Sequence, residues 1–177
     1  MASLIDILID TLEKENKEYE SLLELGLEKT GIIIRNDVDE LSRMVEKEQL
    51  VVERIIALEK KRTEASNDIA DVLNKDVKTL TLTRLIELLS SQPKERDALA
   101  SIHDRLSLTM KRMVDVNERN KALLDESMDM LRFEMNLLQS MRHGPETNNY
   151  GRDAYISNNY ALPDTTVSYT HLRAHET

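Results

Sequence analysis

The sequence predicts an all-α protein: a long antiparallel helical hairpin, a third long helix, a short connecting helix and a C-terminal tail that is disordered on its own. Three observations carry that expectation. Apolar residues recur at alternating steps of three and four along most of the first 143 positions, the period of a coiled-coil seam. Only four Gly and three Pro occur in 177 residues, too few for a turn-rich sandwich or barrel. Aromatic residues make up 3% of the chain, poor material for β-sheets.

The elements follow in order. Ser3, with Asp6 three residues on, is placed to cap the first helix. Its seam is Ile5, Leu8, Leu12, Tyr19 and Leu22, with Glu15 breaking the row, and it is expected to reach about Ile34 although Gly26 and Gly31 weaken it. Asp37 and Glu40 have N-cap and N3 spacing and open the second helix. Only Arg35 and Asn36 separate the two, which predicts an antiparallel hairpin. The second seam is Leu41, Met44, Glu48, Val51, Ile55, Leu58, Arg62, Ala65, Ile69 and Val72.

Asn74 to Leu80 reads as a connection, and Thr81 opens a short helix carrying Leu82, Leu85, Ile86, Leu88 and Leu89. Ser90, Ser91 and Gln92 end it, and Pro93 suits the first turn of the next helix. That last helix spans about Pro93 to Arg142, roughly 75 Å. Its seam is Leu99, Ile102, Leu106, Thr109, Met113, Val116, Asn120, Leu123, Ser127, Met130, Glu134, Leu137 and Met141, in register over six heptads.

Gly144-Pro145 ends the pattern. The chain therefore divides into a helical domain, 1–143, a flexible Tyr/Asn-rich tail, 144–167, and a final segment, 168–177. The tail has too little apolar surface to offset its ordering cost. Ser168–Thr177 resembles translated sequencing-adapter read-through rather than a native ending. Aromatics obey the same division: Tyr19 and Phe133 precede Gly144, and four of the five tyrosines follow it.

Composition excludes several function classes. Zero cysteines leave no disulfide framework or thiolate metal site and fit a reducing, cytoplasmic location. A formal net charge of −9 argues against a nucleic-acid partner. No apolar run approaches the roughly 18 residues that insert into a bilayer. Met1–Asp10 carries Asp6, Asp10 and no basic residue, unlike a secretory signal.

Catalytic patterns are missing as well. His171 and His175 have i, i+4 ligand spacing but no third ligand. Ala100 and Ser140 stand three before His103 and His143, where a di-iron bundle needs Glu. Arg105, Leu106 and Ser107 follow His103 instead of the Lys and small Gly of phosphotransfer domains. None of the scattered glycines precedes a Lys-Ser or Lys-Thr pair, so there is no nucleotide loop. The reading is a non-enzyme without metal or cofactor.

One feature departs from a plain bundle. From Leu124 a second apolar row joins the seam of the last helix: Leu124, Met128, Leu131, Met135 and Leu138. Phe133 lies outside both rows. A second helix ending near Asn74 covers an antiparallel partner only to about Leu131, so the end of the last helix should overhang. Leu124, Met128, Leu131, Phe133, Met135, Leu138 and Met141 are the expected protein-binding residues, since an apolar patch of this kind marks an interaction site. Three covers compete: a specific partner protein, a second copy of the chain in a homodimer, and the chain's own tail. A self-associating structural coiled coil is the alternative function.

These residues are also where the chain resembles the FlgN family of flagellar type III export chaperones. Glu18 to Lys29 with Leu22, Leu23 and Leu25 matches the family's first hairpin. So does Asn36-Asp37 opening the second helix, continued by Leu41, Glu48, Leu58, Glu59 and Arg62. Asn117, Asn120, Leu123, Leu124 and Ser127 resemble its last-helix signature, and the likeness covers about Leu4 to Gly151. It implies a cytoplasmic chaperone that binds the C-terminal helical region of hook–filament junction proteins, prevents premature assembly and delivers them to a flagellar export-gate component. It also implies a tail tyrosine that docks to the gate. Tyr150, followed by Gly151, matches best, with Tyr155 and Tyr160 as rivals because Asn148-Asn149-Tyr150 recurs as Asn158-Asn159-Tyr160.

Overall fold

The computed structural model describes residues 2–142. Within them the chain forms α1 (Ala2–Ile34), α2 (Val38–Leu73), a 3-10 turn (Val77–Thr79), α3 (Leu82–Leu88) and α4 (Pro93–Arg142), with no strand among the described residues. The fold is all-α, as the periodicity predicts.

Local chemistry explains each boundary. α1 starts at Ala2, one residue ahead of Ser3, so Ser3 lies inside the helix instead of capping it. Beyond its last residue, Ile34, the chain turns at Asn36, whose φ of 55° is the left-handed region that asparagine tolerates. The Asn36 and Asp37 amides donate back to Ile33 and Ile32 carbonyls, closing a Schellman ending. Asp37 then caps α2, accepting from the Glu40 amide at 3.1 Å. The far end of α2 repeats the device: Asn74 sits at φ 51°, and the Asn74 and Lys75 amides donate to Asp71 and Ala70 carbonyls. Thr81 caps α3 through the Arg84 amide, and α4 begins on Pro93 as its fixed φ favours.

α1 is the central element. It packs antiparallel to α2 and parallel to α4, whereas no Cα of α2 comes within 8 Å of one on α4. This differs from the expectation that α2 covers α4. The main core joins Ile5, Leu8, Leu12, Tyr19 and Leu22 to Val51, Ile55, Ala65 and Ile69 on one side. On the other side it joins Leu99, Ile102, Leu106, Met110 and Met113, together with Leu85 of α3 and Leu89 at its C-cap. A second, smaller core of Ile32, Ile33, Leu41 and Met44 lies at the hairpin turn. One position of the α2 seam fails: Val72 is exposed, and Ala70 is buried instead. α2 ends one residue after Val72, and the Schellman turn carries the chain away.

Charges are built into this core. Lys29 Nζ lies 2.9 Å from Glu48 Oε2, with both side chains 2% exposed. Glu15 is not a break in the seam but a buried member of it, with Oε1 3.3 Å from Arg62 Nε. The Tyr19 hydroxyl donates to Glu59 at 3.3 Å, and burial together with Glu59 and Glu15 pushes its pKa upward. Burial likewise pushes the Glu48 carboxyl up, against the opposing pull of Lys29.

The two seam ion pairs have reversed polarity. Glu15 and Lys29 stand two heptads apart on α1, and Glu48 and Arg62 two heptads apart on α2. Slipping the hairpin by one heptad sets Glu15 opposite Ile55 or Ile69, and Lys29 opposite Leu41 or Ile55. Slipping it by two heptads opposes Glu15 to Glu48 or Lys29 to Arg62. Every wrong register leaves buried charges unpaired or repelling.

The α1–α4 face has a polar station of its own. Buried Asn120 donates from Nδ2 to the Gly26 carbonyl at 2.8 Å and accepts from the Thr30 hydroxyl. Gly26 permits the close approach here: a Cβ at that position would lie 3.2 Å from Val116 Cγ1.

Candidate functional site: the uncovered end of α4

The candidate site begins where α1 ends. α1 and α4 run parallel, with Glu13 paired to Arg105 and Gly26 to Asn120. The last residues of α1 therefore fall beside Leu123 and Leu124. Leu124, Ser127 and Met128 are half-buried there, and every residue from Asp129 to Arg142 is exposed. That overhang is 14 residues, about 21 Å of helix. Its cause is the hairpin turn, because both α1 and α2 stop at that level.

Half of the overhang's residues are apolar. Met130, Leu131, Phe133, Met135, Leu137, Leu138 and Met141 are all exposed, from 49% for Leu137 to 73% for Met141. At its base the hairpin turn and α4 enclose an apolar notch of about 140 Å³. Ile32, Ile33, Asn36, Asp37, Val38 and Leu41 form one wall; Leu124, Ser127, Met128 and Leu131 form the other.

The structure brings Leu124, Met128 and Leu131 together in that notch. Met135 and Leu138 continue the same row at helical spacing, and Met141 continues the seam row beside it. Phe133 stands about half a turn away from Leu131 and Met135 and is not part of the notch. The hairpin wall is not among the residues that the sequence pattern predicts for the site. Its only linear signal is the Ile32-Ile33-Ile34 run before the turn, which does not reveal that α4 passes alongside.

Other candidate residues divide simply. His103 is half-buried, with Nδ1 3.2 Å from Asp104 Oδ1. Among the described residues no group of three or more His, Asp or Glu could hold a metal ion, and no helix is long and apolar enough to cross a membrane. Tyr150, Tyr155 and Tyr160, His171 and His175, and the expected tail, 144–167, and final segment, 168–177, all lie outside the described residues.

An exposed apolar helix end next to an apolar notch can accept an amphipathic helix. Comparison with known proteins adds one match: a family model described as FlgN protein covers residues 1–157. No curated protein and no solved structure matches the chain.

Proposed function

Since the chain belongs to the FlgN family of flagellar export chaperones, we propose that it binds the C-terminal helical region of hook–filament junction proteins at the α4 overhang. It thereby keeps them from assembling early in the cytoplasm and delivers them to the export gate. Family membership carries the chaperone class and the binding of flagellar substrate proteins. The observation supporting the site is the continuity of the uncovered α4 face with the notch.

The mechanism is helix-in-groove recognition. A client helix lays its apolar stripe along Leu131, Met135 and Leu138 and seats an anchor between Ile33 and Met128. This removes the client's polymerisation surface from solution and gives a negative heat-capacity change. No covalent chemistry or ATP is called for, and release needs only an affinity that the export gate can overcome.

Replacing Leu131, Met135 and Leu138 together by Asp tests the site. All three are exposed, so helical content should persist while client binding drops at least tenfold. Unchanged binding by the helical variant contradicts the proposal. Self-association is separated by sizing over a dilution series: a concentration-independent dimer that buries Leu131–Met141 would favour the structural coiled coil. Gate docking is assigned to Tyr150. Tyr150→Ala should reduce client export and leave client binding intact, with Tyr155→Ala and Tyr160→Ala close to the parent.

A further inference from the structure

A single charge stands inside the overhang's apolar face. Glu134 occupies a seam position, and its helical neighbours at three and four residues either side are Met130, Leu131, Leu137 and Leu138. It is the one charged residue of the α4 seam, it is exposed, and it makes no ion pair among the described residues. A carboxylate at the centre of a face that must be covered is costly unless the cover answers it.

The rest of the molecule shows how this sequence treats such positions. Four charged residues occupy the seams of α1 and α2, and each meets its opposite from the facing helix: Glu15 with Arg62, Lys29 with Glu48. From this we infer that the helix docking on the overhang carries an Arg or Lys within its own apolar stripe, placed to meet Glu134. The inference rests on the helix-docking reading above and adds the chemistry of the partner. It also bears on the competing occupant. Parallel two-fold pairing of two overhangs would set Glu134 against Glu134, a like-charge contact in a desolvated seam. The surroundings reinforce the same choice, with four carboxylates and one guanidinium between Leu124 and Met141.

The test uses the full chain and two helical peptides with an all-leucine stripe, identical except for a central stripe residue, Arg in one and Glu in the other. Fluorescence anisotropy should show the parent binding the Arg peptide at least about tenfold more tightly. Glu134→Arg should invert that order. Glu126→Arg, which alters net charge equally away from the seam, should leave it in place. Equal affinity for both peptides, or an order that Glu134→Arg does not invert, overturns the inference while leaving helix docking intact. Loss of the preference in Glu126→Arg also overturns it, since general charge would then be the cause. Failure of both peptides to bind removes the docking reading as well. Far-UV circular dichroism confirms that each variant keeps its helices.

Discussion

Glu15 lies fully buried on the α1 seam, and neither carboxylate oxygen is in hydrogen-bond geometry despite the neighbouring Arg62. Burial pushes its carboxyl up to about 7, with Arg62 pulling it down and Glu59 pushing it further up. The folded chain thus holds a proton at pH values where the unfolded carboxyl, near 4.5, has lost it. Its contribution to stability is complete below about 4.5 and is lost as the pH rises through 7. Glu15→Gln should therefore gain on the parent by roughly 2 to 3 kcal/mol between pH 5 and pH 8. Thermal denaturation at the two pH values checks this, and a difference that does not change with pH would count against it. The Lys29–Glu48 pair makes a different case. Lys29→Met strands a buried carboxylate and should cost roughly 3 to 5 kcal/mol in urea denaturation. Adding Glu48→Met should restore most of that loss, because the pair's main contribution is to register.

Among the elements, α4 is the most instructive. Its seam positions from Leu99 to Met113 are buried, as their spacing predicts, those from Val116 to Ser127 are buried or half-buried, and the identical spacing continues from Met130 to Met141 at exposed positions. A period of three and four specifies which face a helix would bury; it cannot say whether a neighbour is present. The end of cover was legible only because the lengths of α2 and α4 differ. The neighbour itself was not, since it is α1 that lies against α4. Gly26 belongs to this scale too. It looked like a weak point in α1 but permits the close crossing at Val116 and Asn120. Gly26→Val should crowd that crossing and destabilise the chain by roughly 1 to 3 kcal/mol, read from the urea midpoint. An unchanged midpoint would mean that the crossing relaxes freely.

For the whole molecule, the hairpin and the third helix were legible because helical caps and heptads are local signals. Asp37, Asn74, Thr81 and Pro93 each punctuate the chain where the sequence placed them. The notch was not legible, because its walls are about ninety residues apart and meet only through the parallel packing of α1 and α4. The polarity of the core charges was likewise visible only once register was known, as Glu15 read alone is simply a polar residue in an apolar row. Within residues 2–142 these pieces form a register-locked body from which one apolar helix end projects. The most direct test is hydrogen exchange of the full chain with and without the C-terminal helical region of a hook–filament junction protein. New protection is expected over Leu124–Met141 and over Ile32–Leu41, the two walls of the site. Protection confined to α3 or to the α1–α2 face, with residues 129–142 still exchanging freely, would contradict it.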